Sequence, residues 1–224
     1  MMRHPRTARC LSALLLLLAL GGSSAAHAAR PHVVSIAAAR LLPLGTVVTV
    51  SGIATTPSGV FDSSFFDKGF AIQDATAGIF ISLQQEVRVV PRVRVTVTGT
   101  LKDSSGLLVL APASPAAVSL QGIGPRVEPE WVTTHAIGER TEGLLVLVVG
   151  RLTTDVTDDL PFGHKFAVDD GSGEVQIFIN TQTGIDVSKL AKGQLLSITG
   201  FSSQFETHYE IDPRGPGDLS GPAF

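Results

Sequence analysis

The stretch Gly45-Thr-Val-Val-Thr-Val-Ser-Gly52-Ile-Ala-Thr55-Thr56 returns as Gly143-Leu-Leu-Val-Leu-Val-Val-Gly150-Arg-Leu-Thr153-Thr154, at an offset of 98 residues. Further along, Phe70-Ala-Ile72-Gln-Asp74 matches Phe166-Ala-Val168-Asp-Asp170 at an offset of 96. Val95-Thr-Val97-Thr98-Gly99 then matches Leu196-Ser-Ile198-Thr199-Gly200, and Leu108-Val-Leu110-Ala-Pro112 matches Tyr209-Glu-Ile211-Asp-Pro213, both at 101. The offset changes only between strand-like runs, where loops absorb insertions. Residues 33–120 and 131–219 are therefore read as two copies of one folding unit, joined by a Gly- and Pro-rich linker at 121–130.

Within each copy the apolar period is two, the period of a strand. Val48, Val50 and Gly52 lead a long first strand; Val93, Val95 and Val97 point to one side of a later one while Arg92, Arg94, Thr96 and Thr98 point to the other. Between them lies a hairpin that turns at Asp74-Ala-Thr-Ala-Gly78 in the first copy and at Asp170-Gly-Ser-Gly173 in the second, residues that suit a tight turn. A connection follows, 83–91 or 180–193, and in the second copy Ile185-Asp-Val-Ser-Lys-Leu190 reads as a single helical turn. Ser35 is placed to cap a short helix over Ile36–Arg40, and Thr133–Ile137 occupies the same place in the second copy. The expected fold class is all-β: two tandem five-stranded OB-fold-like barrels with short helical segments, after a cleavable signal peptide. A sandwich is the alternative, but each copy has too few strands for two packed sheets.

The run Gly-x-x-Val-x-Val-x-Gly, then Phe-x-Ile-x-Asp-x-Thr/Ser-x-Gly, then Val-x-Val-x-Gly resembles the OB-fold domains attached to secreted bacterial nucleases and found alone in other exported proteins. The resemblance covers both copies. It implies a nucleic-acid-binding accessory, with hydrolysis belonging to a separate domain rich in His, Asp and Asn that nothing in this sequence resembles.

Residues 1–28 read as a secretory signal peptide: Arg3, Arg6 and Arg9, then the apolar run Leu11–Leu20, then Ala26-His27-Ala28. The run is cut by Gly21-Gly22-Ser23-Ser24, short of the roughly 18 apolar residues that a membrane span needs. The single cysteine, Cys10, falls inside this leader, so the exported product has neither a disulfide nor a thiolate to offer. Without the leader, 14 Lys plus Arg face 20 Asp plus Glu, a net charge of −6. The split is uneven: residues 29–121 carry 7 basic and 5 acidic side chains, residues 122–224 carry 7 and 15. A polyanion would prefer the first half.

No Gly-x-Ser-x-Gly elbow, Walker loop or His-Glu-x-x-His helix occurs, and His32, His135, His164 and His208 have no ligand spacing. The two repeats leave no catalytic domain within this sequence, so no enzymatic activity, cofactor or metal is expected. Asp155, Asp158 and Asp159, and the turn Asp169-Asp170-Gly-Ser-Gly-Glu174, are weighed as calcium ligands, but Asp170 shares its turn position with Asp74, which favours a turn-making role.

An OB-fold takes nucleic acid on the outer face of its second and third strands, with stacking aromatics beside a basic track. Alternation turns Phe80 outward beside Gln73, with Lys68, Arg88, Arg92 and Arg94 nearby. Repeat two would offer Phe178, Lys165 and Gln176. The sequence thus predicts weak single-stranded nucleic-acid binding through repeat one, at Lys68, Phe80, Arg88, Arg92 and Arg94, with repeat two as spacer, clamp or separate interaction surface. Its partners would be single-stranded nucleic acid and a secreted nuclease or envelope protein, with no membrane span. The competing expectation is an extracellular or envelope protein-interaction scaffold without a nucleic-acid ligand, which the acidity of the second half favours. Carbohydrate binding on the same face is the third, with Trp131 and Tyr209 as its only Trp and Tyr.

Overall fold

The computed structural model describes Met1 and residues 32–221, so the leader expected at 1–28 lies, Met1 apart, outside the described residues. The first copy contains β1 (Val33–Val34), α1 (Ile36–Arg40), β2 (Val47–Ala54), α2 (Asp62–Phe65), β3 (Phe70–Gln73), β4 (Gly78–Ile81), β5 (Val93–Ser104), β6 (Leu107–Ala111) and β7 (Val118–Ile123). The second contains β8 (Glu130–Trp131), β9 (Leu145–Leu152), β10 (Thr157–Asp159), β11 (Gly163–Asp169), β12 (Val175–Asn180), β13 (Leu195–Phe205), β14 (His208–Asp212) and β15 (Leu219–Ser220). None of the described helices is long and apolar enough to cross a membrane.

Strand pairing closes a barrel in each copy. β2 pairs antiparallel with β3, β3 with β4, β4 runs parallel to β6, and β6 returns through β5 to β2. The second copy repeats the circuit as β9, β11, β12, β14, β13 and back to β9, again with one parallel contact, between β12 and β14. Five strands in this order are the OB-fold plan, twice over. Alternation fills the interiors: Val50, Ile72, Ile79, Val95, Val97 and Leu110 pack in the first barrel, Val148, Val168, Ile177, Ile179, Ile198 and Ile211 in the second. The glycine that ends each Val-x-Val-x-Gly motif marks a close strand approach. A Cβ on Gly99 would lie 2.8 Å from the Ala111 carbonyl carbon, and one on Gly200 2.8 Å from the Asp212 carbonyl oxygen.

The paired aspartates do the same work in both copies. Asp74 accepts the N–H of Thr76 and Ala77 within its turn and, through Oδ2, the N–H of Ile36 at 2.8 Å. Asp170 accepts the N–H of Ser172 and, through Oδ2, that of Thr134 at 3.1 Å. Each hairpin is thereby tied to the short helical segment that precedes its barrel, and Ser35 caps α1 by accepting from Ala38 N–H at 3.2 Å. One local expectation is corrected: residues 185–190 form no helical turn, and a 3₁₀ turn lies earlier, at Thr181–Thr183. The Asp186 carboxylate takes the Ser188 N–H at 2.9 Å, and such local bonding competes with a helix.

Between the barrels sits a third apolar cluster, built from Val60 and Phe61 of the β2–β3 connection, Ala71, Phe80, Leu107 and Val109 of the first barrel, and Phe201 of the second. The rings of Phe65 and Phe80 meet edge to face at 5.0 Å, and Phe201 lies 5.7 Å from Phe80 and 5.8 Å from Phe61. Beside the cluster the two backbones touch: a Cβ on Gly78 would fall 1.9 Å from the Gly143 carbonyl oxygen. Polar contacts complete the seam. Arg40 of α1 reaches Glu142 at 2.9 Å and Glu139 at 3.1 Å, and Gln73 Oε1 accepts the Leu145 N–H at 3.1 Å.

Candidate ligand-binding groove

Phe80 does face outward from its barrel, as alternation requires, yet it is only 1% exposed because Phe65 and Phe201 cover it. The expected stacking residue is therefore an interface residue, and the β3–β4 face of the first barrel is not available to a ligand. Gln73 is drawn into the same seam. Lys68 is half-exposed and ion-paired to Asp62 of α2. Arg88, Arg92 and Arg94 remain exposed, and of these Arg92 lines a cleft between the barrels. Of the five residues expected to make the contact, Phe80 alone is buried in the seam.

The equivalent face of the second barrel is only partly covered: Phe178 is 6% exposed, but Lys165 and Gln176 beside it are half-buried. A groove of about 370 Å³ runs over the outward side chains of β11 and β12, with Lys165, Gln176 and Phe178 on its floor. The β9–β11 connection adds Asp159 and Phe162, and the β13–β14 hairpin adds Phe205, His208 and Glu210. The first barrel supplies the opposite wall through Phe65, Phe66 and Leu107. Phe66 follows α2 in the left-handed region, φ 51°, which throws its ring into solvent at 69% exposure, edge to face with Phe162 at 5.6 Å. Phe205 is 47% exposed and leans edge to face on His208 at 5.8 Å.

Polar groups converge at the end of the groove. Gln176 Nε2 donates to Glu210 Oε2 at 2.6 Å, and His208 Nε2 lies 3.7 Å from the same oxygen. Burial pushes Glu210 up to about 7, against the Gln176 hydrogen bond and Lys165, while Asp159 adds to the rise. Two residues on, fully buried Asp212 is raised well above the usual carboxylate range, by burial first and by Glu210 second, although Asn180 Nδ2 donates to its Oδ1 at 2.9 Å. Lys165 is paired with Asp159 at 3.2 Å. The groove thus offers aromatic faces, a planar amide, an imidazole and a largely buried carboxyl that burial makes harder to ionise, with little net positive charge.

Lys165, Gln176 and Phe178 were legible from alternation. His208 and Glu210 share the outward face of β14 and could have been found by the same rule. Phe66, Phe162 and Phe205 lie outside regular alternation, and only their clustering in space marks them.

No protein-family model matches this chain, and no curated protein sequence does. Among solved structures, a murine DNA-binding protein bound with double-stranded DNA is 12% identical over 81% of this chain and 98% of its own, with a TM-score of 0.40. The p204 HINb domain is 12% identical over 75% of this chain and 93% of its own, with a TM-score of 0.38. An OBody bound to hen egg-white lysozyme is 18% identical over 44% of this chain and 99% of its own, at 0.35. These likenesses are distant, and the assignment of two OB-type barrels rests on the strand circuit itself.

Proposed function

We propose that this chain is an exported, non-enzymatic binding module that takes a short single-stranded segment of nucleic acid on the second barrel, by stacking bases in the phenylalanine groove. The observation that carries the reading is the groove over β11–β12, with exposed Phe66 and Phe205 on its walls, half-buried Phe162 beside them and Phe178 buried in its floor, around Gln176 and Glu210. Stacking on aromatic side chains contributes about 1–3 kcal/mol per base and tolerates any sequence. Gln176, His208 and Glu210 add donors and acceptors for a base edge. Lys165 is the one Lys or Arg among the described lining residues, so binding is base-led, with a salt slope of about −0.7, the value for one phosphate on a single strand. A secreted nuclease that supplies single strands is the fitting partner for such a module.

Fluorescence anisotropy of a labelled single-stranded oligonucleotide tests this reading. Wild type should bind at low salt; Phe66→Ala and Phe205→Ala should each weaken binding about tenfold, while Arg92→Ala/Arg94→Ala should leave it unchanged. Absence of binding at low salt, or full affinity in both phenylalanine variants, rejects it. The excess of 15 acidic over 7 basic side chains in residues 122–224 favours a second reading, a protein-interaction scaffold whose groove receives side chains of a partner. An oligonucleotide that fails to bind while the groove remains folded selects that reading.

A further inference from the structure

A second cleft, of about 560 Å³, opens between the barrels and shares no lining residue with the aromatic groove. Three arginines reach it from three segments: Arg92 from the turn before β5, Arg126 from the linker and Arg214 from the turn after β14. Asp218 is the only carboxylate among its described lining residues. Arg214 spends three donors, two on Asp218 at 2.7 and 2.8 Å and one on the Thr55 carbonyl at 2.7 Å, which leaves two of the five N–H groups of a guanidinium. Arg92 makes one long bond, from Nε to the Gly124 carbonyl at 3.4 Å. Arg126 has Glu128 at 3.3 Å as an exposed, solvated partner, a pairing easily exchanged.

The backbone holds Arg92 in place at a cost. Its φ is 77°, a region that side-chain-bearing residues rarely occupy, and it is kept there by its N–H to the Ala54 carbonyl at 2.9 Å and by its carbonyl, which accepts the Gly124 N–H at 2.7 Å. Part of the wall offers no polar hydrogen, while Thr55 and Thr199 bring hydroxyls. Pro57, Pro91, Pro129 and Pro216 have no N–H, and Val127 and Leu145 are apolar.

We propose that this cleft binds a small phosphorylated molecule, its phosphate across the free N–H groups of Arg92, Arg126 and Arg214 and its organic part against the prolines and Leu145. Several guanidinium forks suit a tetrahedral group with multiple acceptor oxygens, whereas one fork satisfies a carboxylate. The volume lies in the range of small-molecule sites and far exceeds a bare phosphate ion. The site is independent of the groove, so the two can fail separately.

Isothermal titration calorimetry with inorganic phosphate and with adenosine 5′-monophosphate, at fixed ionic strength, tests the proposal. The nucleotide should bind more tightly than phosphate. Both should weaken about tenfold or more in Arg92→Gly/Arg126→Ala, in which glycine keeps the backbone angle and Arg126 is a surface position. Phe205→Ala should leave phosphate affinity intact and, for the nucleotide, remove only what base stacking in the separate groove contributes. The proposal fails if neither anion binds, if the arginine double variant binds as wild type does, or if nucleotide binding is lost only in Phe205→Ala. Equal affinity for phosphate and nucleotide rejects the role given to the apolar walls.

Discussion

Replacing Phe80 by Ala separates two roles for one outward-facing ring. A ligand-stacking phenylalanine stands in solvent, and its removal changes stability by no more than about 0.5 kcal/mol. Phe80 instead has 1% of its surface exposed, meets Phe65 at 5.0 Å and Phe201 at 5.7 Å, and lies over Gly69, whose built Cβ would come within 2.6 Å of its ring. Truncating a buried phenylalanine to alanine costs about 3–5 kcal/mol, from lost transfer energy and the cavity left behind. Two barrels share this cavity's walls, and their strands limit collapse into it, so a loss of about 4 kcal/mol is expected. For a chain of this size that lowers the melting midpoint by about 8–16 °C. Urea titrations followed by far-ultraviolet circular dichroism, with calorimetry for the midpoint, measure both. Phe80→Leu keeps most of the volume and should lose less than about 1.5 kcal/mol. A loss below about 1 kcal/mol for Phe80→Ala would refute the covered-face reasoning and restore this ring to the list of contact residues.

Three further outcomes follow from the same geometry. Arg40→Met strands Glu142, whose side chain is 1% exposed and whose Oε2 has no partner, and should cost about 3–5 kcal/mol in urea unfolding; Glu142→Gln in that background should recover most of it. Because Glu210 is raised from 4.5 to about 7, the fold holds a proton that the unfolded chain gives up across that interval, so this group makes stability fall as pH rises through it and level off above. Urea midpoints from pH 4 to 8 should slope less steeply downward in Glu210→Gln than in wild type; parallel profiles would count against the shift. Asp170, held down to about 2 mainly by the Ser172 hydroxyl, acts oppositely: its contribution is present above 3.8 and disappears as pH falls through about 2, and Asp170→Asn should remove that acid-limb sensitivity in thermal melts.

The barrels were legible in the sequence because inward positions are governed by a local rule, a period of two with glycine where strands approach closely. Val95, Val97 and Gly99 obey it, and so do Leu196, Ile198 and Gly200. Outward positions obey no such rule. Whether an outward ring meets water or another domain depends on contacts between residues far apart in the chain, such as Phe80 with Phe201. Charge is equally silent on this point: the less acidic half points to repeat one, but no count of side chains shows that the seam covers Phe80 of that copy. Loop residues were the least legible, since Phe66 reaches the groove only through a left-handed turn after a four-residue helix.

The asymmetry itself is written at one repeat position. Phe80 lies over Gly69 and Phe178 over Gly163 in the same manner, with built Cβ distances of 2.6 and 2.7 Å, so both copies prepare an identical aromatic face. In the first copy that face is covered by Phe201, an outward residue of β13. The offset of 101 that aligns Gly99 with Gly200 places Thr100 opposite Phe201 in the repeat. The contact is thus heterologous, the face of one copy against the fourth strand of the next, and two units joined in that way leave the second copy's face without a counterpart of Phe201. A phenylalanine at 100 would offer a further molecule's open face the same partner, and repeated head-to-tail contact of that kind extends into fibres. Threonine at that position withholds that aromatic partner.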